Sequence, residues 1–262
     1  MSLLIARRGL LAAGAAAAAP APSGDYADEV AADSPDWWLR LEETSGSTVS
    51  DEIGTNDGTV TGANLNVASF ADTGSAASFD GTDDKIQVSH DALLNAGDLF
   101  TFECLLKIDN PDADSIQVIA DKTGGSSSNG QWFLGWDNRS SQGSPLHLRF
   151  LCGAGGSVPT YVADYSGTAA RDAVAAGIHI VGTYDRTASV SLRLYANGSE
   201  VATSSSSSGN TISSNTRDVD IGDSSLSFLD ALGGILDEVA IYSKLLSTSR
   251  ILAHAQAAGL AS

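Results

Sequence analysis

The chain has 262 residues, and its 32 Asp plus Glu against 14 Lys plus Arg give a net charge of −18; such a balance repels phosphate backbones and excludes nucleic acid as a partner. With 42% hydrophobic residues it can build a sizeable core without a disulfide or a metal, while 27 Gly and 25 Asp against only 7 Glu argue against a helical protein. One domain is expected rather than two, because β sandwiches often exceed about 200 residues as single units.

Residues 1–34 stand apart from the rest. Paired Arg7 and Arg8 within Met1-Ser-Leu-Leu-Ile-Ala-Arg7-Arg8-Gly-Leu-Leu, followed by alanines and Pro20-Ala-Pro22, have the make-up of a twin-arginine export signal. They equally suit an uncleaved, Ala-rich arm that docks on a larger assembly, with Pro20 to Gly24 as hinge. In that second reading Leu4, Arg7, Arg8 and Leu10 are the anchoring residues. No membrane span is expected.

From residue 35 onward the chain alternates short apolar runs with turn residues. Strands are expected at Trp37 to Glu43, Ala76 to Phe79, Lys85 to Val88, Phe100 to Ile108, Ile116 to Asp121, Gln131 to Trp136 and Leu146 to Cys152. They continue at Tyr161 to Asp164, Gly177 to Tyr184, Val190 to Ala196, Glu200 to Thr203, Asp218 to Ile221 and Gly234 to Tyr242, with a short helical run from Arg250 to Ala258. Asn197-Gly198 between Tyr195 and Val201 is the strongest hairpin signal, since both central residues of a type I′ turn need positive φ. Many short strands separated by such turns describe an all-β, two-sheet antiparallel sandwich over residues 35–262.

Within these strands, Trp132, Leu134 and Trp136 share one face, and His147 and Arg149 alternate with Leu146, Leu148 and Phe150. If the leucine side is core, His147 and Arg149 face outward. Trp132 and Trp136 then belong either to the core or to a flat platform for a sugar ring. Acidic corners at Asp51, Asp57, Asp80 and Asp237 offer oxygen ligands of the kind calcium takes, or cap turns and backbone N–H groups instead. Cys104 and Cys152 lie in strand-like runs, where a thiol is an ordinary small hydrophobe, and bridge only if their strands are neighbours. The four histidines, His90, His147, His179 and His254, fall in unrelated contexts, and no G-x-S-x-G, H-E-x-x-H or Cys-x-x-Cys motif is present.

Three segments carry a family resemblance. Gly233-Gly-Ile-Leu-Asp237-Glu238-Val239-Ala-Ile241-Tyr242, Phe79-Asp80-Gly81-Thr-Asp83-Asp84-Lys-Ile86-Gln-Val88, and Asp36-Trp37-Trp38-Leu39-Arg40-Leu41-Glu42-Glu43 with Asn56-Asp57-Gly58 together resemble the laminin-G-like, concanavalin A-like jelly roll. The resemblance implies that Val239 to Tyr242 close the sandwich beside Trp37 to Leu41, and that calcium binds at loop rims. The staple of the pentraxin branch is not expected, because Cys104 matches one position but no cysteine lies near Ile178 to Val181. Jelly-roll glucanases carry an E-x-D-x-E or E-x-D-x-x-E strand, and no Glu of this chain begins one, so a non-enzyme is expected. The N-terminal segment with Tyr26 to Pro35 is similar to tailed-bacteriophage structural proteins that carry such a domain.

The expected protein is therefore a non-catalytic, virion-associated accessory protein (capsid decoration, fibre or tail) of a bacteriophage. Its arm, residues 1–34, would bind capsid or tail proteins. The jelly roll, in many copies or as a homo-oligomer, would bind cell-surface glycans through Trp132, Trp136, His147 and Arg149, with Ca2+ at Asp51, Asp57, Asp80 and Asp237. The alternative is an exported, secreted or periplasmic carbohydrate-binding protein of a bacterium with a cleaved signal.

Overall fold

The computed structural model describes residues 24–71, 74–123, 131–140, 146–153, 161–205, 212, 214–226 and 229–262. Two antiparallel sheets face one another. Sheet 1 contains β1 (Trp37–Leu39), β4 (Asn64–Ala68), β5 (Ser75–Asp80), β7 (Leu99–Ile108), β12 (Ile178–Asp185), β13 (Val190–Ala196), β14 (Ser199–Ser205) and β16 (Gly233–Tyr242), in the order β14-β13-β12-β7-β16-β5-β4, with β1 also on β16. Sheet 2 contains β2 (Thr48–Val49), β3 (Gly58–Thr61), β6 (Lys85–Val88), β8 (Ile116–Asp121), β9 (Trp132–Asp137), β10 (His147–Cys152), β11 (Tyr161–Ser166) and β15 (Val219–Ile221), in the order β11-β10-β9-β8-β15-β6-β3-β2. Among the described residues lie three α-helices, α1 (Tyr26–Ala32), α2 (Thr168–Ala176) and α3 (Thr248–Ala257), and a 3-10 helix at Ala92–Leu94, and no helix among them is long and apolar enough to cross a membrane.

The sandwich expected from the alternating runs is therefore present, and its strands lie within a few residues of the predicted ones. The hairpin at Asn197-Gly198 has φ of 47° and 80° and joins Ala196 to Ser199 in register. The expected closure is also found: Trp37 pairs with Ile241, Trp38 with Ala240 and Leu39 with Val239. β16 changes partner along its length, from β5 at Gly233 to Leu236 to β1 at Val239 to Ile241. A register shift lies between Asp237, opposite Leu105, and Ala240, opposite Glu103. That is one extra residue on β16, a bulge, and Glu238 within it has a φ of 53°.

The main core lies between the sheets and includes Trp37, Phe100, Phe102, Trp132, Leu134, Trp136 and Phe150. Alternation sends Phe100, Phe102, Cys104, Leu106 and Ile108 of β7 into this core. The other face of β7 is buried too, because α1 and α3 lie over it with Tyr26, Val30, Trp38, Leu105, Val181, Tyr242 and Ile251 in a second apolar cluster. Residues 25–33, which belong to the segment read from sequence as an arm, are thus helix and helix caps docked on sheet 1, with Asp25 capping α1 through Asp28 N. Leu4, Arg7, Arg8 and Leu10 lie outside the described residues. Cys104 is on sheet 1 and Cys152 on sheet 2, both buried and both free.

The short strands β2, β3 and β4 and the helices α1 and α2 were not expected from sequence. Gly58-Thr-Val-Thr61 and Asn64-Leu-Asn-Val-Ala68 have weak alternation and gain order from pairing with β6 and β5. Sheet-to-sheet fit depends on notches as well as bulk. Phe150 of sheet 2 fills the space left by Gly182 of β12, where an added Cβ would sit 2.5 Å from the ring. Gly182→Ala is accordingly expected to lower the unfolding free energy by about 1–3 kcal/mol through overpacking, measured by urea denaturation; an unchanged midpoint would show that the ring has room to move.

Candidate functional site

β9 sends Trp132, Leu134 and Trp136 inward and Phe133, Gly135 and Asp137 outward. Trp132 and Trp136 have no exposed surface. Their indole N–H groups donate to Leu94 O at 3.0 Å and Pro111 O at 2.8 Å, and Trp132 packs on Phe100 and Phe102 with ring centroids 5.8 and 5.2 Å away. A platform role for the two tryptophans is therefore corrected: they are core. The physical reason is register, since one strand face must be buried and the Trp-Leu-Trp face is the more apolar of the two.

His147 and Arg149 do face outward, opposite Asp137 and Gly135 of β9 and Ser166 and Asp164 of β11. Arg149 grips Asp164 with Nε at 2.8 Å and a terminal nitrogen at 3.1 Å, and its other terminal nitrogen is 3.5 Å from Asp137. Arg139 holds the same Asp137 at 2.9 and 2.8 Å, and His147 Nδ1 is 3.9 Å from Asp164. Burial alone would raise the Asp137 carboxyl, but hydrogen bonds from Arg139 keep it below the usual range. His147, Arg149 and Asp164 are half-buried and Asp137 is buried, so donors and acceptors stand side by side. Next to them, Ile116, Val118 and Phe133 pack with Leu151 and Leu229, because Asp230 exchanges backbone hydrogen bonds with Ile116 and Val118 and draws Leu229 onto the sheet.

The four acidic residues expected as calcium ligands separate. Asp51 accepts from the backbone N–H groups of Trp38, Ile53 and Asn56 at 3.1–3.3 Å, and Asp57 accepts from Asp51 N at 2.9 Å. Those two carboxylates organise a turn, as short acidic side chains do. Asp237 is fully buried at the β16 bulge. Asp80 alone joins a carboxylate group: Asp80, Asp83 and Asp84 bring one oxygen each to within 4.8 Å of one another. Burial raises the Asp84 carboxyl, and the charges of Asp80 and Asp83 raise it further. Three clustered carboxylates fit a hard cation that takes oxygen ligands. They adjoin a cleft of about 400 Å³ lined by Phe79, Asp80, Asp109, Asn110, Gln117 and Asp230 among others.

A third group was missed from sequence because its members are far apart in the chain. Glu103, with no exposed surface, accepts at Oε1 from Tyr26 OH (2.6 Å), His254 Nδ1 (2.8 Å) and His179 Nε2 (3.0 Å), and at Oε2 from Tyr242 OH (2.9 Å). His254 Nε2 reaches Asp33 at 3.0 Å, and Arg250 binds the same Asp33 oxygen at 2.7 Å and Glu29 at 2.6 Å. His179 and His254 thus share one context after all. Burial disfavours the His254 cation, but Glu103 and Asp33 lift it to about 9. Glu103, despite burial, is held well below its ordinary range by His254 and His179. On the same face Glu238 hydrogen-bonds Trp38 Nε1 at 2.7 Å and Arg40 at 3.2 Å; burial and the neighbouring Asp237 raise it to about 8.

A family model described as the Concanavalin A-like lectin/glucanases superfamily matches residues 80–252. No curated protein matches the chain in sequence. Among solved structures, the binding domain of Paraclostridial Mosquitocidal Protein 1 aligns with a TM-score of 0.63 at 15% identity, over 84% of this chain and 51% of that one. The ligand binding domain of Botulinum neurotoxin serotype D, in complex with N-acetylneuraminic acid, gives 0.63 at 16% identity, over 87% and 52%. Domain 4 of an extracellular arabinanase from Geobacillus stearothermophilus, in complex with arabinotriose, gives 0.55 at 18% identity, over 85% and 98%. The chain spans about half the length of the two toxin domains, and at these identities the likeness is one of fold.

Two outcomes separate core from surface. Trp132→Ala is expected to cost about 3–5 kcal/mol of folding stability, whereas Arg149→Ala, whose ion pairs are partly exposed, should cost about 1 kcal/mol or less; comparable losses in urea titrations would place both residues in the core. The titrating groups behind sheet 1 set the pH dependence. Glu238 keeps its proton in the fold from its ordinary 4.5 up to about 8, and His254 keeps its own from 6.5 up to about 9. Both therefore remove stability as pH rises through those windows, while Glu103, depressed in the fold, removes it as pH falls below about 4.5. The thermal midpoint should fall between pH 5.5 and 9, and a midpoint that rises over this range would contradict the assignment.

Proposed function

We propose, from the premise that this chain belongs to the concanavalin A-like lectin/glucanases superfamily, that it is a non-catalytic carbohydrate-binding protein whose ligand face is the outer side of β10 and β11. The observation that carries this reading is the inequality of the two sheet faces. Sheet 1 is capped by α1 and α3, while His147, Arg149 and Asp164 of sheet 2 keep part of their surface open beside the buried Asp137. Paired carboxylate and guanidinium groups supply acceptors and donors at fixed spacing, which suits hydroxyl-bearing rings. The toxin and arabinanase domains, in complex with a sialic acid and an arabinose trimer, lend the fold-level analogy its direction.

The finer reading is a virion-associated accessory protein of a bacteriophage, present in many copies, with the residues that precede α1 attaching to capsid or tail proteins. What supports it is polarity. α1 is pinned to sheet 1, so the preceding segment joins the domain on the side away from the proposed ligand face, and many weak sites pointing outward gain avidity from copy number. Calcium belongs to the same reading, held by Asp80, Asp83 and Asp84.

Glycan-array binding by the purified chain should appear with wild type and fall at least about tenfold with Arg149→Ala or Asp164→Ala, the scale of one lost charged contact; binding that survives both changes would move the ligand elsewhere. Intact-mass analysis of particles should show a start at Met1 or Ser2. A mature start near Ala19 to Ser23 would replace the virion reading by the exported one. Calcium should raise the thermal midpoint of wild type and leave that of Asp84→Asn unchanged, and equal responses would remove it from this corner.

A further inference from the structure

We propose that α1 and α3 form a proton-operated clamp on the back of sheet 1: His254, protonated between Glu103 and Asp33, ties the two helices to the sheet, and loss of that proton in alkaline solution lets them loosen. The geometry concentrates the attachment in one ring. α3 supplies His254, whose two nitrogens face two different carboxylates at 2.8 and 3.0 Å. Both nitrogens carry protons only in the imidazolium form, so the full pair of contacts exists only in the charged ring. α1 and its cap are also held by other contacts, with Tyr26 and Val30 buried and Lys244 on Asp33 O. Tyr26 reaches Glu103, and Glu29 and Asp33 reach Arg250 of α3.

The surrounding charges make the ring sensitive to that proton. From β7 comes Glu103; from β12, His179; from β16, Tyr242 and Glu238, the last tied to Arg40. From α1 and its cap come Tyr26, Glu29 and Asp33, and from α3, Arg250 beside His254. With His254 charged, two cations, His254 and Arg250, stand among Glu103, Glu29 and Asp33. Without it, Glu103 keeps only phenol and imidazole hydrogen bonds while fully buried, a costly state for a carboxylate. The raised His254 value near 9 is the same coupling seen from the imidazole.

A buried metal ion is the competing occupant, since Glu103, His179 and His254 each point one ligand atom at a common centre. Geometry favours the proton. Every one of those atoms already has a hydrogen-bond partner, and His179 Nδ1 is buried without one. Metal on Nε2 would force a proton onto that Nδ1 with no acceptor, whereas a metal-bound histidine ordinarily donates its other N–H.

The test combines two readouts on the full chain. An NMR titration of histidine ring signals, with His254 assigned by loss of its peak in His254→Gln, should give a midpoint near 9. Hydrogen exchange of 26–32 and 248–257, corrected for intrinsic rates, should lose at least about tenfold protection between pH 6 and 9.5, with 132–137 unchanged. The same two segments should show low, pH-independent protection in His254→Gln, with Asp33→Asn as the milder variant should the first not fold. A midpoint near 6.5, or protection in the two helices that does not respond to pH, would overturn the clamp. So would a stoichiometric metal whose removal by chelator abolishes that protection.

Discussion

One carboxylate, that of Glu103, sets conditions that the rest of the described structure meets. It lies in the middle of β7 with no exposed surface, and a buried carboxylate is tolerated only when its oxygens are fully satisfied. Four donors from four elements satisfy it: Tyr26 of α1, His179 of β12, Tyr242 of β16 and His254 of α3. Each donor fixes its own element. The register of β16 on β7, the seating of α1 and the angle of α3 are therefore coupled through one residue, and the apolar contacts of Trp38, Leu105 and Ile251 close around the ring.

That arrangement gives the sandwich two unlike sides. Covering sheet 1 with helices buries its outer face and seats residues 25–33 there. It also explains why β7 is buried on both faces although its sequence has a polar set at Thr101, Glu103 and Lys107. Sheet 2 keeps His147, Arg149 and Asp164 partly open, while Asp137 and the small apolar cluster of Ile116, Val118 and Phe133 next to them are buried. The proposed ligand face rests on that asymmetry.

The bulge at Asp237-Glu238 connects the sequence motif to this architecture. The ten-residue strand β16 has to pair with β5 first and β1 afterwards, and one extra residue makes the change of partner possible. The Asp-Glu pair that marks the motif sits at that point, and Glu238 spends its carboxyl on Trp38 and Arg40 beside the newly acquired β1. The acidic pair thus serves the closure of the sheet, where a ligand-binding role for Asp237 had been expected.

Alternating apolar residues and turn chemistry are local properties, so the sequence alone determined the two-sheet architecture and the Asn197-Gly198 hairpin, while the meeting of Trp37–Leu39 with Val239–Ile241 came from the family resemblance and the outward aim of His147 and Arg149 was conditional on the leucine side being core. It left open which face of Trp132 to Trp136 was buried, because period two is symmetric between faces until the opposite sheet is in place. It also left open whether Asp51 and Asp57 bind metal or backbone, since a carboxylate's partners are N–H groups whose positions only a folded turn defines. The Glu103, His179 and His254 ring was out of reach, because its members are separated by 76 and 151 positions from Glu103 and no local pattern links them. Only tertiary structure brings them together, and burial then converts ordinary side chains into a charged clamp by removing the water that would otherwise screen them.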